Sequence, residues 1–220
     1  MAGTYIVGDK TKAAILKGSR KLFYKNGYKD TTYNDISTYL NINRALIPYH
    51  FNNKLALAVA VYNEIISTSR NEADELLDIN ELSDDLASAF NLIIFYRLFA
   101  NKHLVEFVSD LISENSDILY DIDQEKAILS GLNEAYSKMD DTTIDLISNS
   151  MAAIRFRLIS CLKENLLSPD DMARHYIDFA LRYAGVSAED IKELTDSAFQ
   201  LADLITCEVK QNFQVAVSYR

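Results

Sequence analysis

The sequence predicts an all-α protein, and three observations carry that prediction. Its 220 residues include only six Gly and two Pro, too few breakers for a turn-rich β fold. Apolar residues recur three and four positions apart along most of the chain, the spacing of one helix face. Start signals punctuate that pattern, as in Ser168-Pro169-Asp170-Asp171 and Ser187-Ala188-Glu189-Asp190. In each, a hydroxyl can close the first turn and the carboxylates complement the helix dipole. No strand pattern extends beyond a few residues.

Residues 9–26 read as an amphipathic helix with Ile15, Ser19, Leu22 and Phe23 on one face and lysines on the other. Gly27 follows, where a helix end favours a residue free to take positive φ. Thr32 caps a second helix over 33–40, with Asp35 three residues on and Ile36 and Leu40 as its buried pair. Asn41 suits the left-handed turn, and Asn43 caps a short third helix over 44–50. Asn52 and Asn53 end it and start a long fourth helix over 54–77. The remaining helices are expected at 82–100, 101–115, 117–138, 141–166, 169–184 and 187–211. Two short helices joined by a tight turn, after a first that supports them, form a helix-turn-helix unit.

Charge divides the chain at the same place. Residues 1–54 hold nine Lys or Arg against three Asp, a formal +6, whereas the whole chain carries −10. The rest therefore stands at −16. A basic head on an acidic body is the footprint of a nucleic-acid module joined to a part that repels nucleic acid. The reading gives two domains, a DNA-binding head over 1–54 and a body over 55–220, with the boundary inside the fourth helix.

Composition excludes several classes. With 49% apolar and 25% charged residues, the chain is of ordinary globular make-up and long enough to bury a core without staples. Cys161 and Cys207 stand apart, outside C-x-x-C or zinc spacing, so no disulfide framework, metal site or cofactor is expected. Isolated thiols fit a reducing cytosol. Residues 1–12 lack a signal-peptide core. Residues 90–100 are too short to span a membrane and are interrupted by Arg97. No nucleophile–base pair, phosphate loop or HExxH is present, so no enzyme is expected.

The stretch from Ile15 to Lys54 resembles the DNA-binding domain of the TetR family of transcriptional regulators. That pattern has an Ile, two small residues and Leu-Phe in its first helix, here Ile15, Gly18-Ser19 and Leu22-Phe23. A Gly-aromatic pair and Thr-Thr follow, here Gly27-Tyr28 and Thr31-Thr32, then Ile36-Ser37. Tyr49-His50-Phe51 and Lys54 close the match. The resemblance implies a repressor that binds double-stranded operator DNA and is released by a small-molecule effector. It implies cytoplasmic localisation and a homodimer built from two late helices, here 187–211 and one other.

The third helix then offers Arg44, Ala45, Leu46, Pro48, Tyr49 and His50 to the major groove. Arg44 is the best base reader, because its guanidinium can bond both acceptors of a guanine edge. Thr32 at a helix N-terminus suits a phosphate, with Tyr33 and Asn43 beside it. Lys54 and Tyr49 are further phosphate contacts, as the resemblance implies. The sequence departs from the family at Asn41, Asn43 and Pro48. Pro48, in the fifth position of a helix over 44–50, is expected to remove one intrahelical bond and bend the helix. In the body, Phe95, Tyr96, Phe99, His103, Phe107, Tyr120 and Phe156 are expected as walls of the effector pocket.

Overall fold

The structure is a computed structural model that describes residues 2–115, 119 and 121–220. Helix α1 (Ala2–Asn26) starts earlier than its apolar periodicity does and stops at Gly27, whose φ is +82°. Helix α2 (Tyr33–Leu40) begins with a reciprocal cap: Asp35 N–H donates to Thr32 Oγ1, and the Asp35 carboxylate accepts from Thr32 N–H. It ends on Asn41 at φ 51°, ψ 49°, the left-handed geometry that Asn tolerates. Helix α3 (Leu46–Phe51) follows, and the Asn53 side chain caps α4 (Lys54–Leu77) by accepting from Ala56 N–H. A Cβ on Gly18 would lie 2.8 Å from Leu40 Cδ2, so glycine lets α1 and α2 approach. Ile15, Phe23, Ile36 and Ile47 are buried in the small core of the head. Leu22, Leu40 and Ile42 pack at its edge.

The body is built around α5 (Asp84–Arg97). Its Ala89, Phe90, Leu92, Ile93, Ile94 and Tyr96 are buried, so almost every side of it is covered. Around it lie α4, α7 (Ile122–Leu132), α9 (Pro169–Tyr183) and α10 (Ala188–Ala202). Helix α6 (Lys102–Glu114) lies against α1, α4 and α8 (Asp141–Lys163). Capping follows the sequence at Asp140, Ser168 and Ser187, each side chain accepting the N–H three residues on. Pro169 fills the first turn of α9, where its missing N–H leaves no bond unmade.

The C-terminus corrects the expected helix over 187–211. Helix α10 stops at Ala202, and a hairpin follows: β1 (Ile205–Val209) pairs antiparallel with β2 (Val215–Tyr219), Ile205 opposite Tyr219 and Val209 opposite Val215. Along β1 burial alternates, with Ile205, Cys207 and Val209 inside, the period of a strand and not of a helix. Over so short a run the two periods are hard to separate in sequence. Arg97 helps end α10. It donates to Ala202 O at 2.8 Å and pairs with Asp203 at 2.8 Å and Asp170 at 2.8 Å, tying that helix end to the start of α9.

The hairpin joins head to body. Its turn turns back through Asn212 and Phe213, both at positive φ, and places Phe213, fully buried, 5.1 Å from the ring of Tyr24 on α1 and 5.1 Å from Phe107 on α6. Asn101 Nδ2 donates to Val209 O at 2.8 Å, and the Tyr219 hydroxyl donates to Leu76 O near the end of α4. Phe213→Ala is expected to lower the unfolding free energy by about 3 kcal/mol, the cost of an unfilled aromatic site. Urea denaturation followed by circular dichroism measures it, and a loss below about 1 kcal/mol would place Phe213 outside the cooperative core.

Candidate nucleic-acid interface and body cavity

The turn between α2 and α3 is closed by side chains. Asn43 Oδ1 accepts from Ala45 N–H at 2.9 Å, so this residue shapes the entry to α3. Leu46 and Ile47 donate to Asn43 O and Arg44 O, tight turns three residues long, before Tyr49 donates to Ala45 O. Pro48 therefore sits within the first turn of α3, not in its middle. The carbonyl its ring nitrogen would otherwise have engaged, Arg44 O, already accepts from Ile47. The expected lost bond and bend do not arise, because first-turn nitrogens have no helical partner to lose.

The outward face of this unit is polar and aromatic. Asn43, Arg44, Ala45 and Tyr49 are exposed, Tyr49 at 79%. Leu46, Pro48 and His50 are half-buried, and Ile47 and Phe51 point inward. His50 lies edge-on to Tyr49 at 5.0 Å. The Arg44 guanidinium stands 6.0 Å from the ring of Tyr33 on α2, a cation–π distance that gathers both residues on one side. Thr32 is exposed, but its hydroxyl donates to Asp35 Oδ2 at 2.6 Å. These bonds from the Thr32 hydroxyl and backbone N–H hold the Asp35 carboxyl below its ordinary value. The outward donors at this helix start are then the N–H groups of Tyr33 and Asn34, which helix geometry leaves without an intrahelical partner.

Lys54 has a different setting from the one expected. Its ammonium donates to the carbonyls of Tyr28, Lys29 and Thr31 at 3.1, 3.3 and 3.3 Å and lies 4.3 Å from the Tyr28 ring centroid. Three donors meet three acceptors. The residue ties the start of α4 to the loop before α2.

The body holds a cavity of about 1080 Å³ between α4, α5, α7 and α8. Of the expected wall residues, Phe95 and Phe156 line it. Tyr96, Phe99, His103 and Phe107 do not: Tyr96, Phe99 and Phe107 belong to packing, and His103 is exposed beside α1. Tyr96 is buried 6.1 Å from Tyr176, Phe99 is buried 5.3 Å from Phe95, His103 lies 4.4 Å from Tyr24, and Phe107 lies 5.5 Å from Phe23. Aromatic density marked the hydrophobic core there, as it usually does. Tyr120 lies outside the described residues.

The cavity's polar residues went unread in the sequence. Arg155 on α8 faces Glu125 on α7, Nη2 to Oε2 at 2.7 Å, with side-chain exposures of 14% and 2%. Tyr176 donates to the other oxygen of Glu125, and burial pushes that phenol well up, so it stays a donor. Phe95 and Tyr176 place their rings 5.5 and 5.3 Å from the guanidinium. A signal existed. Arg155 falls between Met151 and Ile159 at spacing four, and Glu125 shares a stripe with Leu129 and Leu132. Opposite charges on two apolar stripes indicate a buried pair. Asp74 and Arg70 on α4, 3.6 Å apart, and Asn91 on α5 are further polar groups of the wall, with Asn63, Asp121 and Gln124.

Comparison with known proteins places this arrangement. Residues 15–61 match the family described as bacterial regulatory proteins, tetR family. Over 78 residues the chain is 34% identical to a probable HTH-type transcriptional regulator, ArpR, of Pseudomonas putida, covering 36% of this chain and 35% of that one. Over 107 residues it is 33% identical to the HTH-type transcriptional repressor NicS of Pseudomonas putida, 49% of each. The chain thus spans half or less of the curated relatives it matches. Among solved structures, RolR in complex with resorcinol superposes with a TM-score of 0.57 at 18% identity, over 87% of this chain and 95% of that one. A gamma-butyrolactone receptor does so at 0.51 and 18%, over 89% and 98%. At this identity the likeness is one of fold. Among the described residues no helix is long and apolar enough to cross a membrane.

Two outcomes are expected in the head. Pro48→Ala should leave the unfolding free energy within about 1 kcal/mol of wild type, by urea denaturation; a larger change would mean the ring is part of the fold. Thr32→Ala should lower the urea midpoint at neutral pH. Because Asp35 is depressed in the fold, its contribution is present above 3.8 and lost as pH falls through its folded value. The gap to wild type should therefore narrow on acidification, and a gap constant down to pH 3 would remove Asp35 from the cap.

Proposed function

We propose that this chain, whose residues 15–61 are a tetR-family helix-turn-helix on the family's helical fold, is a ligand-responsive repressor that binds operator DNA as a homodimer. The observation that carries the reading is the exposed face of Arg44, Ala45 and Tyr49 on a head of formal charge +6, attached to an acidic body with a large cavity. Residues 1–54 are the reading head and residues 55–220 the sensing and dimerising body.

Arg44 reads a base edge, and Tyr49, His50, Thr32 and the N–H groups opening α2 position the phosphates. Lys54 acts through the loop it braces. A molecule in the cavity touches α4, the element that carries the head, through Val59, Tyr62, Ile66 and Asp74. An occupant that favours another α4 orientation shifts both heads away from the spacing that successive DNA turns require.

The dimer face is assigned to α8 and α9. The stripe of α10 is used within its own chain: Ile191, Ala198 and Phe199 are buried, mainly against α5 and α9. By contrast Leu146 on α8 and Phe179 and Tyr183 on α9 are exposed at 65%, 56% and 61%. These two helices are sequential and adjacent, so a second copy can cover both to make a four-helix interface.

Fluorescence anisotropy with DNA from upstream of the protein's own gene tests the reading. Tight, selective binding that weakens steeply with salt is expected. Arg44→Ala should cost about 1–3 kcal/mol in specific binding and relax selectivity at one position. Binding no stronger than to random DNA at every salt would overturn it. Phe179→Glu should give a monomer in sedimentation equilibrium with weakened operator binding; an unchanged dimer would move the interface elsewhere.

A further inference from the structure

The outward side of α1 carries one sign of charge. Lys10, Lys17, Lys21 and Lys25 stand seven, four and four residues apart, a spacing that puts all four on one face of a helix. That face lies opposite Ile15, Ser19 and Phe23, which α1 buries in the head. Lys10, Lys17 and Lys25 are exposed and Lys21 is half-buried. None of the four has an ion-pair partner among the described residues. Like charges one turn apart weaken a helix, and Lys17 with Lys21 and Lys21 with Lys25 are two such pairs. Exposed cations on other helices are met by carboxylates four residues away: Arg70 by Asp74 on α4, Arg182 by Asp178 on α9 and Lys192 by Asp196 on α10. The whole chain carries −10, so the row is no by-product of a basic composition. A row about 22 Å long that opposes its own helix and meets no carboxylate suits a linear polyanion.

We propose that this row is a second DNA surface, which holds backbone phosphates of duplex DNA flanking those met by α2 and α3, independently of sequence. One strand presents a phosphate about every 3.4 Å of duplex axis, so a row of this length spans about six of them. A lysine ammonium on a flexible stem neutralises a phosphate without demanding a fixed geometry. Contacts of this kind add affinity and encounter rate but carry no base readout. The proposal rests on the reading of the head as a DNA-binding module and goes beyond the face assigned to α3.

The test compares the whole chain with the variant Lys10→Gln/Lys17→Gln/Lys25→Gln, changed at three exposed positions. Fluorescence anisotropy on a random-sequence duplex, from about 50 to 200 mM salt, makes the result independent of any operator. The slope of log affinity against log salt should fall by about 2 to 3 per protomer, since each phosphate contact contributes about 0.9. Affinity at the lowest salt should fall at least about tenfold. Lys138→Gln/Lys163→Gln/Lys192→Gln, which removes the same charge from exposed positions of the body, should leave the slope unchanged. An unchanged slope in the first variant, or an equal fall in the second, overturns the proposal. Lys17→Glu, which sets a carboxylate four residues before Lys21, should raise the thermal midpoint of the DNA-free protein by about 1–2 °C while weakening duplex binding. A lowered midpoint would mean that the lysine serves the fold, and overturns it too. Vesicles of phosphatidylcholine and phosphatidylserine supply another anionic surface, and a first variant that loses the vesicles but keeps the duplex assigns the row to lipid instead. The ratio of affinities for upstream and random DNA keeps the two readings apart. A wild-type ratio of one with a lowered slope in the first variant removes the operator reading and leaves the row in place. A high ratio with an unchanged slope does the reverse.

Discussion

Phe107 on α6 meets Phe23 of α1 and Phe213 of the C-terminal turn, and Tyr24 fills the next place between Phe213 and His103. This aromatic seam holds the head against the body. The buried rings of Phe23, Phe107 and Phe213, 5.1 to 5.5 Å apart, exclude water and leave little freedom to slide, since packed interiors have discrete arrangements. Lys29 and Asp110 add an ion pair across the same boundary, 2.9 Å long but half in solvent and so of small energetic weight. The orientation of α1, and with it the exposed face of α3, follows from this apolar contact. The hairpin strengthens it from outside, with Phe213 at one end and Tyr219 on the carbonyl of Leu76 at the other.

The body has a second organising contact, the Glu125–Arg155 pair with Tyr176. Such a pair contributes little net stability, because removing both charges from water offsets their attraction. Its effect is on geometry: it fixes α7, α8 and α9 relative to one another, since each supplies one member.

The head illustrates how local rules combine. A proline in a six-residue helix is disruptive only if its nitrogen is needed, and the short turns at Leu46 and Ile47 place it where it is not. Lys54 illustrates the converse. A lysine that the family pattern suggests for a phosphate finds three carbonyls in reach, and an ammonium with three protons is satisfied by them.

By itself the sequence determined whatever is encoded within a few residues. The limits of α2 and α4 were legible because Thr32, Asn41 and Asn53 act on their own neighbours through side-chain caps and a left-handed turn. The helix-turn-helix was legible because its core and its outward face share a spacing fixed by helix geometry. Only the tertiary structure decided the rest. Residues 205–219 are a hairpin because each strand supplies the other's hydrogen bonds, a partnership that no local window contains. Tyr96, Phe99 and Phe107 went to packing while Arg155, Asp74 and Asn91 came to the cavity, because which side of a buried helix faces a void depends on the elements around it. Aromatic content reports how much surface must be buried; the neighbours decide against what.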